Sequence, residues 1–208
     1  MISAHAALDA LRAGNRRFVS ALQAEGEAHR SRRHELPATQ EPLAIILGCS
    51  DARVPAEIVF DQGLGDLFVI RVAGNIVAPS QVGSVEFAAE AFGTRLVVVL
   101  GHSSCGAIHA TLQQLARPWR EQSRNLSSIV NRIRPAVEGL LERAAGRDPH
   151  SLEREAVRAN IRMSADHLRH GSEVLEQLIE KDGLWVVGAE YSLETGVVEF
   201  FDGVPPAD

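Results

Sequence analysis

The stretch "LAIILG" at residues 43–48, running straight into "CSDARVP" at 49–55, decides how the chain reads. Five apolar residues that stop at a glycine suit a strand buried on both faces, because no polar position alternates with the apolar ones. Two further runs repeat the pattern, "DLFVIR" at 66–71 and "RLVVVLG" at 95–101. Helical candidates separate them: "VPAEIVF" (54–60) and "SQVGSVEFAAEAFG" (80–93), the second offering Val82, Val85, Phe87 and Ala89 for packing. Strand-helix alternation of this kind predicts right-handed crossovers and an α/β fold built on a mostly parallel sheet.

Upstream, residues 3–22 predict an amphipathic helix with Leu8, Leu11, Phe18 and Leu22 at helical spacing. A polar, basic stretch from 27 to 42 reads as a solvated arm or loop. Downstream, 105–181 is helical in pattern, with interruptions expected at Pro118, Pro135, 146–149 and Gly171. "LWVVGAEY" (184–191) and "GVVEFF" (196–201), joined by "SLET", predict a last parallel strand and an antiparallel hairpin partner at the sheet edge. The expected strand order is 2-1-3-4, with strand 5 antiparallel beside strand 4. The expected organisation is a single domain over 1–208: helix and arm in 1–42, α/β core in 43–201.

Composition narrows the function classes. A net charge of -6 offers no basic field to nucleic acid. No apolar run is long enough to span a bilayer, so no membrane partner is expected. The first residues lack a basic head, apolar block and cleavage site, which makes a cytoplasmic location the expectation. Two cysteines make no disulfide framework and suit metal binding or catalysis better.

In a doubly wound sheet, ligands collect beyond the carboxyl ends of the strands, where the winding direction reverses. With the order 2-1-3-4 that point lies between strands 1 and 3. Cys49 ends the first run, while His102 and Cys105 end the third, so three distant residues converge there. Two sulfurs and an imidazole suit zinc, and three protein ligands leave a position open, the catalytic arrangement. Asp51 is the serious candidate for a fourth ligand. Arg53 could instead hold its carboxylate away through a bidentate fork. His109, one turn past Cys105, is a weaker candidate and reads more simply as an ordinary helix residue. "GHSSC" (101–105) lacks the last glycine of a nucleophile elbow, and Trp119 and Trp185 read as packing groups.

Taken together, "CSDARVPAE" (49–57), "FVIRVAGN" (68–75), "GSVEFA" (83–88) and "VVLGHSSCGA" (98–107) resemble the β-class carbonic anhydrases in order and spacing. "VVGAEYSLETGVVEF" (186–200) resembles that family's closing hairpin, and the likeness spans roughly 5–201. The resemblance implies one zinc ion per chain on Cys49, His102 and Cys105, with Asp51 and Arg53 as the catalytic pair. It implies reversible hydration of carbon dioxide to bicarbonate and a proton, with hydrolysis of carbonyl sulfide or carbon disulfide as the alternative. A homodimer or homotetramer is implied, the N-terminal helix embracing the neighbour. Gln40 matches a substrate-facing glutamine from across the interface, and Phe68, Ala73 and Phe87 match the apolar wall. Ile46 stands where some bacterial members carry a tryptophan of an inhibitory bicarbonate site, so that site is not expected. Two thiolates and a neutral imidazole leave a divalent cation formally neutral, and activity is expected to rise into the alkaline range.

Overall fold

The computed structural model describes residues 2–23, 40–116, 123–143, 146 and 148–204. The arm up to residue 39, Trp119, Pro118 and the side chain of Leu22 lie outside that description. Five strands form one sheet in the order β2-β1-β3-β4-β5: β1 (Ala44–Gly48), β2 (Leu67–Arg71), β3 (Leu96–His102), β4 (Trp185–Tyr191) and β5 (Val198–Asp202). All neighbours run parallel except β5, which pairs antiparallel with β4. This is the fold and strand order expected of the sequence.

Every residue of β1 and β3 is buried, which explains their unbroken apolar runs. Alternation within each strand separates two cores. Ile45 and Leu47, with Val97 and Val99, face one layer built from α3 (Pro79–Ala91), α4 (Gly106–Ala116), α5 (Arg124–Glu142), α6 (Pro149–His170) and α7 (Glu173–Lys181). Ala44 and Ile46, with Val98 and Leu100, face α1 (Ala4–Gln23) and the short α2 (Ala56–Val59).

The apolar stripe of α1, including Leu8, Leu11 and Phe18, is buried against its own chain's sheet. Asn15 fastens this docking: its Nδ2 donates to the carbonyls of Val59 and Gly196, and its Oδ1 accepts from the Val198 amide.

Two local expectations are corrected. Pro135 does not break the helical region but sits inside α5. Ile133 and Val137, on either side of it, are fully buried, and that packing outweighs the roughly 3 kcal/mol a helix-interior proline costs. Phe87 is not a core residue of α3 but 55% exposed. Its ring leans on Phe92 and Phe68, with centroids 5.4 and 6.3 Å away, along the outer sheet edge formed by β2.

Candidate active site

Cys49 is the first residue after β1, His102 the last of β3, and Cys105 immediately precedes α4. Parallel pairing of β1 with β3 brings these ends side by side. The two Sγ atoms lie 4.0 Å apart as free thiols, and all three ligand atoms fall within 4.8 Å of one another. All three residues are buried, His102 completely.

The state of His102 follows from its neighbours. Its Nδ1 lies 2.9 Å from the Ser103 carbonyl, which can only accept, so Nδ1 carries the proton and Nε2 offers a lone pair. Ser103 is in turn tied to the end of β4: its amide donates to the Tyr191 carbonyl and its Oγ accepts from the Leu193 amide. Nε2 itself is buried without a hydrogen-bond partner, one of two such side-chain atoms among the described residues, the other being Asn75 Nδ2. An imidazole lone pair left unsatisfied beside two thiols is what a soft divalent cation requires, so the residues fit zinc.

The two thiols compete for charge. The Cys49 thiol is drawn down, first by the hydrogen bond from Cys105 and then by the Gly74 and Asp51 amides, against the burial penalty. Cys105 is pushed far up, first by that same bond and then by burial and the neighbouring thiolate. A cation held by both sulfurs must displace the protons they carry.

Asp51 lies beside this group, its Oδ2 3.8 Å from His102 Nε2. Arg53 holds the carboxylate through three donors: its amide and Nε reach Oδ1 at 3.0 and 2.9 Å, and its Nη2 reaches Oδ2 at 2.7 Å. These bonds hold the Asp51 carboxyl well below the usual carboxylate range. A further Nη2 contact of 3.3 Å to the Ser104 carbonyl links Arg53 to the loop between His102 and Cys105. That loop turns through Ser104 at φ 55°, a left-handed conformation.

The structure thus brings together Cys49, His102, Cys105, Asp51 and Arg53. Ala73 opens the turn Ala73–Asn75, whose Gly74 amide donates to Cys49 Sγ at 3.3 Å. Phe68 is half-buried in β2 and touches exposed Phe87. Gln40 is exposed ahead of β1. His109 is not part of it either: its ring pairs with Gln113 at 2.8 Å and faces Glu153 at 3.7 Å on the helix surface. Trp185 packs edge-on against His5, as a packing group should.

Sequence reasoning missed Arg71. From the end of β2 it donates through Nε to the Cys49 carbonyl at 3.0 Å and through Nη2 to the Asp51 carbonyl at 2.6 Å. A charged residue closing an otherwise apolar strand was the available signal. Asn160 and Ser164, two buried polar residues in α6, were missed as well. They bond the carbonyls of Gly74 and Asn75. Their signal was a polar pair one helical turn apart on a face otherwise made of Val157, Ile161, Ala165 and Leu168.

The sequence profile of the carbonic anhydrase family matches residues 44–198. A carbonic anhydrase of Mycolicibacterium smegmatis is 40% identical over 194 residues, covering 93% of this chain and 91% of the relative. Among solved structures, the β-carbonic anhydrase CcaA superposes with a TM-score of 0.71 at 27% identity, over 90% of this chain and 95% of that one. A tetrameric β-carbonic anhydrase of the ascomycete Sordaria macrospora shares the fold, with a TM-score of 0.71 at 22% identity over 78% of this chain and 82% of that one. A profile match running from the first residue of β1 to the first of β5, joined to that bacterial identity and that superposition, places this chain in the β class of the carbonic anhydrase family.

Proposed function

We propose that the chain catalyses the reversible hydration of carbon dioxide to bicarbonate and a proton, with Cys49, His102 and Cys105 holding one zinc ion. The observation that carries this reading is the buried, unpartnered Nε2 of His102, set among two thiols and beside an arginine-held carboxylate. When bound there, zinc supplies Lewis acidity that brings a water's pKa down toward neutrality.

The chain's own residues do the rest. Asp51, kept ionised by Arg53, is an acceptor only, so a water beside it must donate a proton toward Oδ2 and present its lone pair elsewhere. Arg53 keeps that carboxylate from becoming a fourth ligand, since both of its oxygens are already engaged. Arg71 fixes the backbone between Cys49 and Asp51, so ligand and acceptor hold one spacing. Phe68, which packs on Phe87, and Ala73 are assigned as the apolar wall, which would suit a nonpolar gas and disfavour bulk water.

The site is completed by a second copy of the chain. Phe87 and the outer edge of β2 are open in the single chain, and a neighbour seated there would cover the wall and deliver its glutamine at position 40. The tetrameric assembly of the Sordaria macrospora relative supports an oligomer of this kind. A cytoplasmic setting agrees with the free thiols. Among the described residues no helix is long and apolar enough to cross a membrane.

Metal analysis and stopped-flow hydration on one preparation test the reading. The expected result is one zinc per chain with carbon dioxide hydration that disappears on chelation. A chain that binds no zinc, or a zinc-loaded oligomer without hydration activity, overturns it.

A further inference from the structure

The turn Ala73–Asn75 has a backbone that its sequence does not favour. Gly74 stands at φ 71° and Asn75 at φ 42°, two successive left-handed residues of which only one is glycine. Such a conformation persists where the surroundings impose it. Here three helices do so. Ile133 of α5 and Ala107 of α4 occupy the space beside Gly74, within 2.9 and 3.1 Å of where a Cβ would stand. From α6, Asn160 Nδ2 donates to the Gly74 carbonyl at 2.8 Å, and Ser164 Oγ donates to the Asn75 carbonyl at 3.0 Å.

These two side chains are 2% and 5% exposed. Buried polar groups destabilise a fold unless they are bonded, so their presence on an apolar helix face needs a reason. Both bonds go to the same turn, and the amide of that turn is the one aimed at Cys49 Sγ.

The geometry points to Asn160 and Ser164 as positioning residues of the metal centre: by holding the carbonyls of Gly74 and Asn75, they aim the Gly74 amide at the Cys49 sulfur. The inference rests on the proposed metal role of Cys49. A fixed hydrogen bond stabilises the sulfur lone pairs and sets the direction in which the remaining one points. Partners that orient a ligand in this way change metal affinity by about 10–100-fold. The influence reaches Cys49 from a helix more than a hundred residues further along the chain.

Three substitutions and one rescue test it. Asn160→Leu keeps most of the volume and removes the donor, Ser164→Ala removes the hydroxyl, and Leu168→Ala, one turn further along α6, is a packing control. Ser164→Thr restores a hydroxyl. Zinc affinity is measured by competition with a chelator, and the thiolate-to-cobalt charge-transfer band is recorded after cobalt(II) exchange. Asn160→Leu and Ser164→Ala are expected to weaken zinc binding by about tenfold or more and to move the band to longer wavelength, because the sulfur loses a stabilising donor. Leu168→Ala should lower the thermal midpoint and leave both readouts alone, while Ser164→Thr should recover the parent's affinity. Variants that melt earlier yet bind zinc as tightly as the parent, with an unchanged band, overturn the assignment. If Asn160→Leu does not fold, the Ser164→Ala and Ser164→Thr pair decides by the same criteria. A parent chain without zinc overturns the metal reading itself, whereas zinc held equally by parent and variants overturns only this assignment.

Discussion

Arg53 engages both oxygens of Asp51, with Nε on Oδ1 at 2.9 Å and Nη2 on Oδ2 at 2.7 Å, while Oδ2 stays 3.8 Å from the lone pair of His102. The carboxylate is therefore next to the Cys49, His102 and Cys105 cluster and already occupied. Replacing Arg53 with Ala leaves Asp51 free to turn onto a cation. Hydration should fall by roughly 100-fold or more, the scale of a lost acid-base or orienting group, while zinc stays at one per chain. Arg53→Lys should recover little, since an ammonium cannot span both oxygens. Stopped-flow rates alongside metal content decide it, and zinc loss in Arg53→Ala would show that Arg53 supports the fold instead.

Metal removal should be visible as a loss of stability. Zinc at 100 times its dissociation constant adds about 2.7 kcal/mol, which for a chain of this size raises the thermal midpoint by about 5–10 °C. Calorimetry with zinc and with chelator measures the difference. Cys105→Ser should shrink that zinc-dependent shift strongly, because a serine hydroxyl is a poor ligand for a borderline-soft ion.

Gly74 cannot accept a side chain. Gly74→Ala combines a left-handed backbone with a Cβ 2.9 Å from Ile133 Cδ1, and should destabilise the chain by about 2–4 kcal/mol. The double variant with Ile133→Val should recover part of that loss, because only the steric share is relieved. Urea denaturation of the three chains measures it.

The pH dependence of the rate follows from the donor set. Two thiolates and one imidazole cancel the charge of a divalent cation, so hydration should keep rising above neutrality. A rate that stays flat from about pH 6 to 9 would contradict the assigned ligands.

Stability has its own pH dependence at the far sheet edge. Arg158 bonds Glu199 and, at 2.8 Å, Glu190, and its guanidinium holds the Glu199 carboxyl below its ordinary value. A depressed carboxyl stabilises the fold above its unfolded value, near 4.3, and that contribution disappears as pH falls through the lower folded value. Glu199 is 62% exposed at its side chain, so solvent screening keeps the effect below about 1 kcal/mol. Relative to Glu199→Gln, the parent should lose stability as pH falls from about 5 to 3, as denaturation series at several pH values would record.

The central strands were legible because burial on both faces leaves an unbroken apolar signature: the runs at 43–48, 66–71 and 95–101 became β1, β2 and β3 within a residue or so at either end. The convergence of Cys49, His102 and Cys105 was legible because parallel order alone carries the ends of β1 and β3 together. Pro135 was misread because its helix is held by tertiary packing around Ile133 and Val137, which local pattern does not report. Phe87 was misread because an apolar residue on a helix announces burial without saying in what, and here the single chain leaves it open. Arg71, Asn160 and Ser164 show in the sequence as polar residues on apolar elements, but without saying what they bond. Their partners are backbone carbonyls, which carry no residue identity for a sequence to display.

Asn15 ties the helix α1 to the closing hairpin, bonding Gly196 and Val198 across 181 and 183 positions. On a ribosome, α1 is made long before the residues that complete these bonds. A nascent chain stopped before residue 196 holds α1 only by its apolar stripe and the Val59 bond, and the β4–β5 hairpin then adds the last two ties.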